Sequence, residues 1–396
     1  MRDTFRSPMN PRAVKTVLLL SSGMTVMSGA IIAPALPEIS RYFADDAPEV
    51  LRKLVLTMPA LTIALSAPVA GHLSDLFGRK TLLVLSLVLY GIAGFSGFFL
   101  DDLSLLLFSR AVLGLAVGGI MSATTALIGD CFTGSERSRF MGLQSSFMYV
   151  GGVVLLLLGG GLAAVSWRGP FLCYLTAFIV APMAVVWIAG PVRSARARRQ
   201  HEADPAERLP MSVMATVCFL VFLLMVFYYM IPVQVPFVLQ ERFGAGSAMT
   251  GGGIAFAAFT GALASFCYPL FRRAMHYRTI YAAGFAVVAA GYVVVGNAVN
   301  WPVMLAGLAI GGFGSGMLMP NGSLWLLESV PESFRGRAVG FYTAMIFLGQ
   351  FLSPVLTAPF VSLFSLSGAF LVSAALLGAL ACCIVLLPFG RAASSS

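Results

Sequence analysis

From Thr16 to Pro37 the chain carries no charged side chain. Apolar runs of this kind, bounded by charges, Gly or Pro, recur along the whole sequence. They fall at 15–37, 52–73, 80–99, 103–130, 139–165, 169–190, 211–239, 247–270, 278–298, 301–328, 337–360 and 366–389. At 1.5 Å per helical residue, about 20 residues cross the ~30 Å of bilayer hydrocarbon. The pattern therefore predicts twelve transmembrane helices and an all-α polytopic membrane protein.

Composition agrees. The chain is 59% hydrophobic and 10% charged, against about 45–50% and about 25% in soluble domains. In water it would expose apolar patches far larger than monomers tolerate. That excludes soluble nucleic-acid binders, cytosolic enzymes and disordered regulators. The net charge of +9 is read as positive residues retained on one side of a membrane rather than as a nucleic-acid surface. Cys131, Cys173, Cys218, Cys267, Cys382 and Cys383 lie in or beside apolar runs without metal-ligand spacing, so they are read as small buried hydrophobes rather than a disulfide frame, with no metal and no cofactor. No HExxH, GxSxG or P-loop pattern appears, and His72, His201 and His276 are placed in loops; catalytic residues are not expected. Ala33-Pro34-Ala35 superficially resembles a cleavage site, but the preceding run is too long for a signal segment. It is read as a retained first span.

Orientation follows from the basic residues. With the N-terminus inside, nineteen Lys and Arg fall on one side and five (Arg41, Arg52, Lys53, Arg168 and Arg242) on the other, while Arg110 lies within span four. Both termini are thereby expected in the cytoplasm. The polar, basic stretch 191–210 reads as a cytoplasmic linker between two six-helix bundles, 1–190 and 211–396. It also offers contact with anionic membrane lipid.

The sequence matches itself at an offset of 198 residues. Arg137, Arg139 and Gly142 map onto Arg335, Arg337 and Gly340; Asp130 maps onto Glu328, Gly114 onto Gly312, Gly118 onto Gly316, and Lys80 onto Arg278. Two parallel six-helix halves with a site at their interface are expected.

Between spans two and three stands Gly71-His72-Leu73-Ser74-Asp75-Leu76-Phe77-Gly78-Arg79-Lys80. This stretch resembles the G-x-L-x-D-x-x-G-R-K/R signature of the major facilitator superfamily, and topology, linker and repeat extend the resemblance over the whole chain. The resemblance implies a transporter of two pseudo-symmetric six-helix bundles, working as a monomer in the cytoplasmic (inner) membrane of a bacterium. It also implies that the loop clasps the cytoplasmic side in one state and releases it in the other. Gly71 permits close helix contact and Gly78 a tight turn. Asp75 is an acceptor at a membrane boundary, and Arg79 can pair with Asp75 or with Asp130. The plainer alternative makes Arg79 and Lys80 topogenic anchors only. In the second half the equivalent stretch, Pro269 to Arg278, departs from the pattern, with Arg273 at the acidic position. Glu328 is expected to balance Arg273 or Arg278.

Arg110-Ala-Val-Leu-Gly114 resembles the family's R-x-x-x-G element in helix four, implicated in proton transfer or in pairing with helix one. The alternative is a guanidinium satisfied by carbonyls that pins helix packing. Glu38 follows Ala33-Pro34-Ala35-Leu36-Pro37, which resembles the helix-one element of drug/proton antiporters, and lies on the same side as Arg110. Glu38, Arg110 and Asp75 are the proton-coupling candidates, although Glu38 could equally cap the outer rim. The glycines of helix five (Gly142, Gly151, Gly152, Gly159, Gly160 and Gly161) partly resemble a pliable exporter element or simply allow close packing.

In the family's fold, helices 1, 4, 7 and 10 face a central cavity, flanked by 2, 5, 8 and 11. That places Met24, Met27, Gln144, Phe147, Tyr228, Tyr229, Gln234, Asn321, Trp325, Tyr342 and Gln350 as cavity candidates, each with an alternative as plain packing. Aromatic and Met walls with a few amides suit an amphipathic organic molecule. The reading is proton-coupled efflux of small amphipathic compounds by rocker-switch alternating access. A carrier dedicated to one metabolite such as a siderophore or sugar, and a non-transporting receptor, are the alternatives.

Overall fold

The computed structural model describes residues 11–188, 211–331 and 334–386, with side chains throughout except at 67–77 and 138. The proposed linker 191–210 lies outside the described residues. All regular structure among them is helical. The chain divides into two compact units, Met1–Arg198 and Arg199–Ser396.

In the first unit, span one is Pro11–Ala30 continued by a 3-10 turn and the short helix Leu36–Tyr42. Spans two to five are Glu49–Phe77, Arg79–Ser96, Leu103–Cys131 and Gly134–Val165, and span six runs from Gly169 to Trp187. In the second unit, span seven is Met211–Tyr228 plus Met230–Phe243, and span eight is Ser247–Phe266 plus Tyr268–Ala274. Spans nine and ten are Tyr277–Gly296 and Trp301–Ser329. Spans eleven and twelve share Arg335–Leu386, broken at Ser365, where φ is 66°. Among the described residues ten helices are long and apolar enough to cross a membrane. Counting Arg335–Leu386 as two and adding Glu49–Phe77, whose residues 54–66 carry no charge, gives twelve spans among the described residues.

Three runs expected to be continuous are interrupted, and proline explains each. Pro34 has no N–H for the carbonyl of Ala30, where the first helix ends; Pro232 likewise offers none to the Tyr228 carbonyl, and Pro269 none to that of Ser265. In the other direction, the span-two helix overruns its expected end. It reaches Phe77, so His72 lies in a helix and the expected loop contracts to Gly78. Gly78 has φ 86°, a backbone that favours glycine, which is why the helix stops there.

The 198-residue offset reappears in the elements. Spans four and ten are each 29 residues long and begin one repeat apart. Asp102 caps the first of them by accepting from the Leu105 N–H at 2.8 Å, and Asn300 caps the second by accepting from the Val303 N–H at 3.0 Å. Each cap contributes about 1 kcal/mol. Packing repeats too: span two lies against four and three against four, as eight against ten and nine against ten. A methyl group on Gly114 would overlap the Pro59 carbonyl and the Thr62 hydroxyl. One on Gly312 would overlap the Ala257 carbonyl and the Thr260 hydroxyl. Each contact is the other displaced by one repeat.

Candidate functional site

Among the described residues each unit gathers most of its Lys and Arg at one end of its own spans, and in the first unit the signature joint is there. Gly78 turns the chain so that Arg79 opens span three. The Arg79 guanidinium forms an ion pair with Asp130 at the end of span four and donates to the Ala126 carbonyl at 3.1 Å. Lys80 Nζ donates to the Val185 carbonyl, in span six, at 2.6 Å. Spans three, four and six of the first unit are thus tied at the basic end by two adjacent residues. Gly71 and Asp75 belong to the span-two helix, and their side chains lie outside the described residues.

The second unit ties the same spans differently. Arg278 donates to the Ile384 carbonyl, in span twelve, at 2.9 Å, matching Lys80 one repeat earlier. Glu328, however, pairs with Arg272 at 3.8 Å, not with Arg273 or Arg278 as expected. The reason is the extra helical turn Tyr268–Ala274, which carries Arg272 back over the Tyr277 ring, 4.0 Å from its centroid. Arg273 is exposed.

Two further ion pairs escape sequence reading. Lys15 Nζ donates to Glu136 at 2.9 Å, joining span one to the start of span five, and lies 5.3 Å from the centre of the Phe132 ring. At the opposite end, Arg168 pairs with Asp101 and lies over the rings of Trp167, at 4.3 Å, and Tyr42, at 5.2 Å. The Tyr42 hydroxyl donates to the same carboxylate at 2.8 Å. The partners lie far apart in sequence, and no local spacing announces them.

Arg110 is fully buried. Its Nη2 donates to the carbonyls of Ala93 and Gly94 in span three at 2.9 and 3.0 Å. The guanidinium lies between Phe171 and Tyr174 of span six, at 5.0 and 5.2 Å from their centroids. Tyr174 in turn donates to the Ser28 carbonyl at 3.1 Å, and Tyr90 to the Met24 carbonyl at 2.8 Å. Four spans meet around this one cation. Glu38 stands in the first turn of Leu36–Tyr42, half-buried, and is not among the partners of Arg110.

The cavity candidates divide. Met24, Met27, Gln234, Asn321 and Tyr342 are buried. Asn321 accepts from the Tyr268 hydroxyl and donates to the Tyr277 carbonyl, both at 3.0 Å. Gln234 donates to Thr357 at 3.5 Å, and Tyr342 belongs to an apolar cluster with Val217, Val221 and Leu326. Gln144, Phe147, Tyr228, Tyr229, Trp325 and Gln350 are half-buried. Gln144 donates to Ser22 of span one at 2.7 Å, and Phe147 faces Gly23. The rings of Tyr228 and Tyr229 meet edge-on at 6.3 Å, and Gln350 approaches the Met225 sulfur at 3.7 Å. Trp325 stacks on Tyr277 with planes 2° apart. Among the described residues no cluster of three or more His, Cys, Asp or Glu could hold a metal.

Helices of this length and apolarity make the chain a multi-pass integral membrane protein, and solved transporters share its architecture. It superposes on a D-xylose–proton symporter with a TM-score of 0.77 at 15% identity, covering 96% of this chain and 98% of that one. A bacterial homologue of the human lysosomal transporter Spinster, inward-facing and unoccupied, gives 0.76 at 15% identity, covering 95% and 96%. Identities this low establish the fold alone. The chain belongs to the Major Facilitator Superfamily, a family of transporters rather than enzymes, whose model matches residues 18–291 and 254–395. Among individual relatives, an MFS-type transporter of Aspergillus terreus is 32% identical over 155 residues, 39% of this chain and 28% of that protein. The multidrug transporter protein MdtP of Bacillus subtilis is 27% identical over 175 residues, 44% and 31%. Multidrug resistance protein 2 of the same organism is 26% identical over 203 residues, 51% and 50%. The aligned stretches thus span half or less of these relatives.

Proposed function

We propose that this chain is a proton-coupled exporter of small amphipathic organic compounds. Two six-span bundles, 1–190 and 211–396, joined by a cytoplasmic linker at 191–210, alternate access to a site near the midplane in a bacterial inner membrane. In this reading the basic end faces the cytoplasm, which the distribution of Lys and Arg supports. The observation that carries it is the Arg79–Asp130 pair in the signature joint: a charge pair at a boundary between helices is an element with a made and a broken state. The multidrug names of the two Bacillus subtilis relatives support the substrate class. Glu38 and Arg110 are the candidates for coupling on the outer side, and Asp75 on the inner. The half-buried aromatics and amides, from Gln144 and Phe147 to Trp325 and Gln350, are the candidates for substrate contact.

The test is substrate-driven proton movement in proteoliposomes under an imposed pH gradient, with ethidium, norfloxacin and chloramphenicol as probes. A polyspecific exporter moves more than one of these unrelated molecules and moves protons the opposite way. Movement of a single sugar-like solute instead, or flux without any proton movement, overturns the reading.

A further inference from the structure

We infer that the second half carries a working counterpart of the Arg79–Asp130 latch, rebuilt from Arg272, Tyr277 and Glu328 on a Trp325 platform. At an offset of 198 residues Asp130 becomes Glu328, but Arg79 becomes Tyr277. The acid is kept and the base is lost from its position. The lost cation returns from the preceding turn: Arg272 lies 4.0 Å above the Tyr277 ring and 3.8 Å from the Glu328 carboxylate. Tyr277 thereby acts as a seat for the cation that its repeat partner supplies directly, an arrangement that cation–π attraction favours.

Tyr277 is also held to span ten by other groups. Its ring stacks on Trp325 with centroids 5.9 Å apart, and its carbonyl accepts from Asn321 Nδ2. The start of span nine is therefore tied to the end of span ten, just as Arg79 ties span three to Asp130 and the Ala126 carbonyl in span four. The side chains of Arg272 and Glu328 are 37% and 59% exposed, against 25% and 36% for Arg79 and Asp130. Water competes more strongly for the second pair, so the second latch is the looser one. This inference rests on the gating reading above, and its test separates the two.

The experiment uses the full-length chain in membrane vesicles with the basic end outward, probed by an impermeant maleimide. Ser329→Cys, with the six native cysteines replaced by serine, reports on span ten; Cys131 retained alone reports on span four. Arg272→Gln is expected to speed labelling at position 329 about three-fold, the size of change a half-exposed ion pair supports, and to leave Cys131 unchanged. Adding Tyr277→Arg to Arg272→Gln places a cation where the first half has one and is expected to restore the parent rate. Loss of ring packing alone would not be rescued, because that second change removes the stack on Trp325. No effect of Arg272→Gln, or no rescue by Tyr277→Arg, overturns the inference. If Arg79→Gln speeds Cys131 labelling while Arg272→Gln leaves position 329 unchanged, the second latch falls and the first stands. If Arg79→Gln has no effect while the second-half pair behaves as expected, the gating role of Arg79 falls and the second latch stands.

Discussion

Arg79 at the start of span three and Asp130 at the end of span four form an ion pair although nearly the whole of both spans lies between them in the sequence. Both side chains are partly exposed, so the pair contributes at most about 1 kcal/mol to stability. Asp130→Asn is therefore expected to shift the melting temperature by no more than about 3 °C. A change of about 1 kcal/mol in a two-state equilibrium is still about five-fold in population, and export is expected to fall by about that factor. Asp75→Asn, at the acidic position of the same joint, is expected to do the same in a protein that still inserts. Wild-type export rates from both variants in vesicles would remove these carboxylates from the gate.

Arg110 allows its two readings to be separated. Its guanidinium fills the space between Phe171 and Tyr174 and bridges to span three, so Arg110→Ala opens a cavity at a junction of four spans. A cost of about 3 kcal/mol is expected, read as a clear drop in thermal stability in detergent. Full stability with transport abolished would instead mean that the cation serves chemistry rather than packing.

Glycines in this chain are not equivalent, despite their number. Gly114→Ala drives a methyl into the Pro59 carbonyl, and Gly312→Ala does the same at Ala257. Each is expected to destabilise by about 1–3 kcal/mol, the usual range for overpacking. Gly142 has open space where a Cβ would stand, so Gly142→Ala should leave unfolding unchanged or slightly slower. Equal melting temperatures for all three would contradict the close approach of spans two and four.

Asn321 uses both ends of its amide inside the second unit, on Tyr268 and Tyr277. Asn321→Ala leaves the Tyr268 hydroxyl without its acceptor, at an expected cost of about 1–3 kcal/mol. Asn321→Asp is expected to be worse, because it sets a buried carboxylate against the Tyr277 carbonyl. If Asn321→Ala instead keeps its stability and changes only which compounds are exported, the residue belongs to the substrate site.

Periodicity and charge were enough for the number of spans and for the repeat, since a bilayer demands long apolar helices whatever their neighbours are. The same reading missed the interruptions near Ala30, Tyr228 and Cys267. Hydropathy does not register a missing N–H, although Pro34, Pro232 and Pro269 stood in the sequence to announce one. It placed Glu328 with Arg273 or Arg278 because it assumed a loop; the helical turn that delivers Arg272 comes from local backbone geometry. The caps Asp102 and Asn300 were legible in principle, each standing immediately before an apolar run.

What the amino-acid order determined alone is an all-helical membrane chain of twelve spans, two related halves, and a joint with the superfamily's signature. Those properties depend on transfer energies and spacing, which act residue by residue. Only the tertiary structure decided that Arg110 rests on span-three carbonyls and two span-six rings, that Lys15 meets Glu136, and that Tyr277 seats a cation in place of Arg79. Such contacts join residues remote along the chain, and their energies exist only once the helices have packed.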